Sequence, residues 1–259
     1  MYILLRTMLT LAHFFHILYT AILYIGTAVL RKCTDIWYTI TASTTKELDV
    51  LVATFAKTKK IPKHLVIVLG LCDDLVLDCV RIIGWCITLD IPYISFFDRN
   101  GFLQKNETYL KEELARKRPD LVEHIAWHSH TKAPSQNGIV TGSRSKINVS
   151  LLSKIDGKRK IVTLTQSLAK AVSSGNLDPE EITDQLISEK LQIKGMPDPD
   201  LALIYGSTCS TYGLLPWHTR TTEFLMLPLS VNVSLKDISV KDFTHLLEIY
   251  SKCVQRYGK

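Results

Sequence analysis

The 259-residue sequence has few cysteines, no internal repeat and no low-complexity segment. Its six cysteines are too sparse for a disulfide scaffold in a chain of this length. It contains no glycine-rich phosphate loop of the Walker or Rossmann type, which excludes those nucleotide-binding classes. The net charge of +6 is a mild excess that suits an anionic partner surface or a phosphate ligand. It gives no reason to expect a nucleic-acid partner.

Hydrophobic residues make up 46% of the chain and charged residues 22%, values that are ordinary for a globular protein. This composition excludes a disordered or collagen-like chain. The mean hydropathy of +0.11 is nevertheless high for a soluble enzyme. We therefore expect one segment of the chain to be strongly apolar.

That segment lies near the N-terminus, where no charged side chain occurs between Arg6 and Arg31. The uncharged run of about 24 residues corresponds to about 36 Å of helix, enough to cross a bilayer core. A cleaved signal peptide is the competing interpretation, and the small residues of Gly26–Ala28 fit a cleavage site. The apolar region of a signal peptide normally has about 7–15 residues, fewer than this run contains. The sequence therefore favours a transmembrane anchor over residues 1–31.

Two features of the sequence indicate opposite orientations for this anchor. Arg31, Lys32 and Lys46 follow the span whereas only Arg6 precedes it, which places the rest of the chain on the cytosolic side. Three glycosylation triplets, which begin at Asn106, Asn148 and Asn232, indicate a lumenal domain instead. Composition leaves both orientations open.

Beyond the anchor, residues 32–60 form a polar, partly helical connector, and residues 61–259 form the folded domain. Apolar runs typical of buried strands alternate with segments of helical periodicity in this domain. The predicted strands are HLVIVL, IPYISFF, KINVSLL, LALIYG and TEFLML. Strands that alternate with helices predict an α/β fold with a mainly parallel central sheet flanked by helices.

Two clusters of potential metal ligands have simpler explanations. Asp73, Asp74 and Asp78 lack the spacing of an aspartate-rich magnesium motif, and acidic residues in the first turn of a helix account for them. The second cluster comprises Glu123, His124, His128 and His130. A helix would bring residues four positions apart together, yet the segment runs into a loop and has no matching ligands elsewhere. We therefore predict no metal site in this chain.

Other reactive side chains also favour structural roles. Ser207 and Ser210 lie near His218 in sequence without a nucleophile elbow, so a hydrolase is not expected. Cysteines recur every seven residues in the run CDDLVLDCVRIIGWC, and neighbouring pairs on a helix are about 10.5 Å apart along its axis. They are too distant for disulfides, so small buried thiols on one helix face are expected.

The C-terminal third carries the most specific pattern, the block DPDLALIYGSTCSTYGLLPWHTRTTEFLML and the tetrapeptide RYGK. Together with IPKHLVIVL and ISFFDRNGF, these residues make the chain from about Ile61 onward resemble the cis-prenyltransferase family. The resemblance is strongest to the membrane-anchored, non-catalytic subunits of that family, which the N-terminal anchor also fits. It implies a fold like that of undecaprenyl diphosphate synthase.

The resemblance also shows which catalytic positions have been lost. Gly70 stands where catalytic members have the aspartate that holds magnesium on the allylic diphosphate, so a metal-bound diphosphate cannot be held there. Ile204 and Ser210 occupy the positions of two diphosphate-binding arginines. Trp217 and Glu223 match the family's tryptophan and its dimer-interface glutamate. The resemblance therefore implies a subunit that does not act alone.

The C-terminal tail matches an Arg-x-Gly element of the family. In relatives this element reaches across the dimer interface and binds the diphosphate of isopentenyl diphosphate in the partner's site. Arg256 and Gly258 occupy the two matching positions. Arginine provides charge and forked donors, and glycine permits close approach of the backbone to a phosphate. A frayed basic terminus is the alternative.

The resemblance finally implies a function. The chain would be the accessory subunit, in a heterodimer or higher heteromer, of a cis-prenyltransferase in the endoplasmic reticulum membrane, with its domain in the cytosol. The complex would extend farnesyl diphosphate with isopentenyl diphosphate into the polyprenyl precursor of dolichol, using Mg²⁺ held mainly by the catalytic partner. Membrane lipid would contact the anchor. The alternative is a single-pass receptor or scaffold with a catalytically inactive prenyltransferase fold.

Overall fold

A computed structural model describes residues 6, 8–23, 25–26, 44–58, 60–69, 76–128, 147–193, 196–206, 208–226 and 239–255. The chain divides into a smaller unit, Met1–Glu47 with Ser230–Asp237, and a larger unit, Leu48–Leu229 with Ile238–Lys259. In the smaller unit, residues 8–23 form helix α1, and most of its apolar side chains are exposed. Within the described ranges, no helix has both the length and the apolar character needed to cross a membrane.

The larger unit contains a six-stranded sheet in which every strand pairing is parallel. The strands are β1 (His64–Leu69), β2 (Tyr93–Asp98), β3 (Ile125–His128), β4 (Ile147–Ser153), β5 (Leu201–Tyr205) and β6 (Glu223–Met226). Their order across the sheet is β3-β4-β2-β1-β5-β6. The predicted α/β fold with a parallel central sheet is therefore confirmed.

Helices connect and flank these strands. They are α2 (Thr44–Lys57), α3 (Val76–Thr88), α4 (Phe102–Lys105), α5 (Glu107–Lys117), α6 (Lys158–Ser173), α7 (Asp184–Leu191) and α8 (Val240–Lys252). Two short 3-10 helices cover Pro119–His124 and Pro179–Glu181. Helix α5 ends two residues before Pro119, because the residue that precedes a proline is disfavoured in helical conformation.

The core lies on both faces of the sheet, as the apolar runs predict for central parallel strands. Successive residues of β1 point to opposite faces, so Leu65 and Ile67 join one apolar cluster whereas Val66 and Val68 join another. The first cluster is the larger and includes residues of α2, α3, α5 and α8. Between α3 and α8 it contains the rings of Trp85 and Phe243, whose centroids are 5.1 Å apart.

Some element boundaries differ from the predictions. The strand Ile125–His128 was not predicted, because one buried and three partly buried residues at the sheet edge form no apolar run. The helical pattern that begins with Asp178-Pro179 predicts one helix over Pro179–Leu191. The structure divides this segment, because the side chain of Thr183 accepts a hydrogen bond from Leu186 N and caps a new helix there. The sequence pattern predicts a closing helix over Val240–Gln255, whereas α8 ends at Lys252.

The cysteine prediction is confirmed for the two members that the structure describes. Cys79 and Cys86 lie in α3 with fully buried thiols. Burial raises the pKa of both thiols, so they remain protonated and packed in the core. Cys72 lies outside the described residues.

Candidate functional site

The carboxyl ends of four strands meet at one edge of the sheet. The terminal residues Tyr205, Leu69, Asp98 and Ser153 lie in register across β5, β1, β2 and β4. From β1 the chain first adds β2, β3 and β4 in one lateral direction, and it later adds β5 and β6 on the opposite side of β1. In open α/β sheets, ligands bind outside the carboxyl ends of the strands at such a switch point. The β1/β5 carboxyl edge is therefore the candidate site.

One of the lost catalytic positions, Ile204, lies in β5 at this switch point. Ile204 in β5 pairs with Val68 in β1. Gly70 follows Val68 by two residues in the sequence and lies outside the described residues. The Ile204 side chain is 2% exposed and packs in the apolar cluster that contains Val68, Phe97 and Leu215. An apolar contact thus occupies the position that the resemblance assigns to an arginine.

The carboxylates at this edge hold the local backbone. Asp98 is buried, and its side-chain oxygens accept hydrogen bonds from the backbone nitrogens of Asn100 at 2.9 Å and Leu103 at 3.1 Å. Oδ2 of Asp156 accepts from the Ser153 nitrogen at 2.8 Å and from Nε2 of Gln104 at 3.1 Å. Both carboxylates therefore stabilise the turns that follow β2 and β4.

Ser210 lies in the loop after β5 and takes part in its folding. Its side-chain oxygen accepts a hydrogen bond from the Tyr212 nitrogen at 3.2 Å. In the same loop, the Gly213 carbonyl oxygen accepts from the nitrogen of Lys158, and a Cβ at Gly157 would overlap that oxygen. Gly157 is thus required for the close contact between this loop and the start of α6.

A polar network joins the loop to the C-terminal end of α7. Nζ of Lys160 donates to the carbonyl oxygens of Leu191 at 2.7 Å and Gln192 at 3.2 Å, and burial lowers the pKa of this lysine. Nε1 of Trp217 donates to Oγ of Ser188 at 3.0 Å. The hollow between these groups has a volume of about 10 Å³, enough for about one water molecule.

His218 belongs to this network and not to a catalytic dyad. Its ring nitrogens lie 2.9 Å from Oδ1 of Asp198 and 3.1 Å from the carbonyl oxygen of Leu191. Both nitrogens are engaged, so neither is available as a base for Ser210.

The histidines considered as zinc ligands are not arranged on one helix face. His124 ends the 3-10 helix, whereas His128 lies in β3, with Nε2 2.9 Å from Oδ1 of Asn148. His130 lies outside the described residues. Throughout the described part of the chain, no three Cys, His, Asp or Glu side chains are grouped to hold a metal ion.

The opposite edge of the sheet contains a buried histidine that sequence reasoning missed. Nδ1 of His64 donates to the carbonyl oxygen of Pro197 at 2.7 Å, and Nε2 accepts from Oγ of Ser95, 2.9 Å away. Desolvation by burial lowers the pKa of His64 from 6.5 to about 4. Beside it, Oδ2 of Asp200 accepts from the nitrogens of Lys63 and His64. These partners are far apart in sequence, so no local signal predicted them.

We expect the lowered pKa of His64 to make the folded chain acid-sensitive. The unfolded chain binds the proton near pH 6.5 and the folded chain only near pH 4, so stability falls as the pH drops through this interval. From pH 7 to pH 5 the free energy of unfolding should fall by about 2 kcal/mol through His64. Urea unfolding of the full chain, followed by circular dichroism, measures this change.

The effect is isolated by comparing two histidine substitutions. His64→Gln should remove the loss of about 2 kcal/mol in unfolding free energy between pH 7 and pH 5. His245→Gln, on the exposed face of α8, should leave the pH dependence of stability unchanged. An equal pH dependence in the wild type and the His64→Gln variant would contradict the assignment.

Glu223 lies in an outer strand of the sheet, and Trp217 lies in the connection between β5 and β6. Glu223 is half-buried and begins β6, the last strand beyond β5. Trp217 is half-buried, and the Arg220 guanidinium lies 5.6 Å from its ring centroid. Arg256 and Gly258 lie outside the described residues, which end at Gln255. The roles predicted for these four residues stay predictions.

Comparison with known proteins shows homology over most of the chain. A human protein named dehydrodolichyl diphosphate synthase complex subunit NUS1 is 33% identical over 183 residues, which cover 70% of this chain and 61% of the human protein. The chain is a homologue of these complex subunits. It spans about three fifths of the length of the human and mouse relatives. The Schizosaccharomyces pombe subunit is 25% identical over 213 residues, 78% of this chain and 79% of that protein.

The fold comparison agrees with this homology. Lavandulyl diphosphate synthase from Lavandula x intermedia, solved with dimethylallyl diphosphate, superposes with a TM-score of 0.54 at 16% identity. The match covers 76% of this chain and 98% of the synthase, so the two proteins share a fold. No family model matches the chain. The resemblance to cis-prenyltransferases that the sequence indicated is confirmed.

Proposed function

We propose that this chain is the accessory subunit of a dehydrodolichyl diphosphate synthase complex. The complex would condense isopentenyl diphosphate onto farnesyl diphosphate and make polyprenyl diphosphate for dolichol synthesis and protein glycosylation. The burial of Ile204 carries this proposal. The chain keeps the prenyltransferase fold, yet an apolar side chain packs at the position matching a diphosphate-binding arginine. A subunit with such a site needs a catalytic partner.

The proposed Mg²⁺ belongs to that partner. Mg²⁺ is bound through carboxylate oxygens and substrate phosphates. The described carboxylates at the candidate site do not fit this role, since Asp98 and Asp156 are committed to backbone nitrogens. This chain's proposed chemical contribution is the tail, where Arg256 would bind the diphosphate of isopentenyl diphosphate and Gly258 would let the backbone approach it.

Helix α6 provides a surface for the catalytic subunit. Ile161, Leu164 and Leu168 recur at helical spacing along it and form an apolar stripe. Nevertheless, none of its 16 residues is buried in the described chain, and the stripe residues are only partly covered. Strand β6, where Glu223 lies, is also the outermost strand on its side of the sheet. We therefore place the subunit interface on the stripe of α6 and the edge at β6.

A charge in the stripe should weaken the complex. We expect Leu168→Glu to reduce the affinity for the catalytic subunit at least about tenfold, or about 1.4 kcal/mol, because a carboxylate would be buried without a partner. Glu223→Ala should weaken the complex as well. Trp217→Ala also breaks the contact with Ser188 inside the chain, so it probes the interface less cleanly. The measurement is recovery of the catalytic subunit in co-purification.

Gln166→Glu adds the same charge on the exposed side of α6 and serves as the matched control. It should leave recovery unchanged, and Leu168→Glu and Gln166→Glu should both unfold at the temperature of the wild type. Full recovery with folded Leu168→Glu would place the interface elsewhere.

We further propose that residues 1–31 anchor the subunit in the endoplasmic reticulum membrane with its domain in the cytosol. Two glycosylation triplets support this orientation, because their asparagines are engaged in the fold. Nδ2 of Asn106 donates to the carbonyl oxygen of Phe102 at 2.8 Å. Asn148 lies within β4, and its Nδ2 is 3.3 Å from the carbonyl oxygen of Pro92. A glycan on Asn148 would disrupt the sheet.

Removal of residues 1–30 should release the domain from membranes while the reconstituted complex keeps most of its activity, because the deleted segment carries no proposed catalytic group. Fractionation of cells and protease digestion of sealed microsomes measure these properties. A domain protected from protease in intact microsomes would contradict the cytosolic orientation.

A further inference from the structure

The chain is held in place by side chains after helix α8 has ended. The helix ends at Lys252, and residues beyond a terminal helix normally fray. Here Nζ of Lys60 donates a hydrogen bond to the carbonyl oxygen of Cys253 at 3.0 Å. Nε2 of Gln255 donates to the carbonyl oxygen of Thr221 at 3.0 Å. The backbone is therefore tied to the domain on both sides of Val254.

The Lys60 contact combines three favourable interactions. The Lys60 ammonium donates a hydrogen bond to the carbonyl oxygen of Cys253, the residue at the C-terminal cap of α8. It also lies 4.3 Å from the centroid of the Tyr250 ring. Tyr250 is 1% exposed, so this ring is a fixed part of the core. A cation is favoured at the negative end of a helix and over the face of an aromatic ring. Lys60 thus determines the direction in which the chain leaves α8.

The Gln255 contact places the chain at the amino edge of the sheet. Its Nε2 is also 3.4 Å from the carbonyl oxygen of Asp200, which directly precedes β5. The five residues of β5 separate this edge from the candidate site by about 17 Å. The last described residue therefore lies at the amino edge of the sheet, opposite the candidate site.

We propose that Lys60 and Gln255 are positioning residues for the C-terminal tail, because their contacts order the chain as far as Gln255. The inference rests on the proposed function, in which Arg256 and Gly258 bind isopentenyl diphosphate in the partner's site. A tail ordered in advance loses less conformational entropy when it binds its ligand. The two contacts therefore raise the affinity for isopentenyl diphosphate without touching it.

Loss of either contact should raise KM for isopentenyl diphosphate. Lys60→Met keeps the apolar stem and removes the ammonium, and Gln255→Leu removes the donor. For each we expect KM to rise about tenfold with kcat within about twofold, because Arg256 makes the same contacts once the tail is bound. Lys60→Arg should restore KM. Lys63→Met removes a neighbouring exposed ammonium and should leave KM unchanged.

The experiment measures initial rates of the reconstituted complex at varied isopentenyl diphosphate concentration, with Arg256→Ala as a reference. Wild-type kinetics of Arg256→Ala would overturn the proposed role of the tail and the inference with it. Impaired Arg256→Ala together with unchanged KM in Lys60→Met and Gln255→Leu would overturn the inference alone. A lower kcat at unchanged KM, or reduced recovery of the complex, would assign both residues a merely structural role and likewise overturn it.

Discussion

Arg256→Ala is expected to lower the turnover of the reconstituted complex about 100- to 1000-fold, the usual effect of losing one preorganised donor to a developing anion. The guanidinium would bind the diphosphate of isopentenyl diphosphate through charge and paired hydrogen bonds. Arg256 belongs neither to the apolar stripe of α6 nor to β6, so the two subunits should still co-purify. The measurement is the initial rate against isopentenyl diphosphate concentration.

Two companion substitutions define the chemistry. Arg256→Lys should restore activity only in part, since an ammonium keeps the charge without the planar fork. Gly258→Ala should impair turnover if the backbone approaches the phosphate closely there. Lys252→Ala removes an exposed charge from the last turn of α8 and is the control. Normal turnover with Arg256→Ala would leave the tail a frayed terminus.

The isolated chain is expected to show no chain elongation with farnesyl diphosphate, isopentenyl diphosphate and Mg²⁺. Gly70 provides no carboxylate for the metal, and Ile204 is packed among Val68, Phe97 and Leu215 instead of presenting a guanidinium. Addition of the catalytic subunit should produce activity. Incorporation of labelled isopentenyl diphosphate into polyprenyl products, with and without the partner, measures the difference.

Robust turnover by the chain alone would refute the accessory role. Ile204→Arg offers a further check, because it places a charge in the apolar cluster that contains Val68, Phe97 and Leu215. We expect this variant to be destabilised and still inactive alone. Gain of activity by Ile204→Arg would show that the site retains its other catalytic groups.

Sequence reasoning found those elements whose signal is local. The run HLVIVL became β1 because central strands of a parallel sheet are buried on both faces and need no alternation of polar residues. The strand Ile125–His128 escaped detection because only one of its residues is buried. The division before α7 depends on Thr183, whose capping role is a local signal that was outweighed by apolar spacing.

Within the candidate site, sequence and structure contributed different information. The aligned block identified Ile204 and Ser210 as departures from the family, but it did not show what these residues do instead. The structure shows that Ile204 packs in the core and that Ser210 accepts a hydrogen bond from Tyr212. It also shows that Trp217, predicted for the interface, bonds to Ser188 within the chain.

The sequence by itself determined the alternation of strands and helices, the uncharged N-terminal run and the family pattern of the C-terminal third, because each is encoded in neighbouring residues. Only the tertiary structure decided that Lys60 meets Cys253 across 193 positions, that Asp200 joins His64, and that the stripe of α6 stays partly exposed. Such contacts arise when the parallel sheet brings distant strand ends to one edge. No local periodicity encodes which side chains meet there.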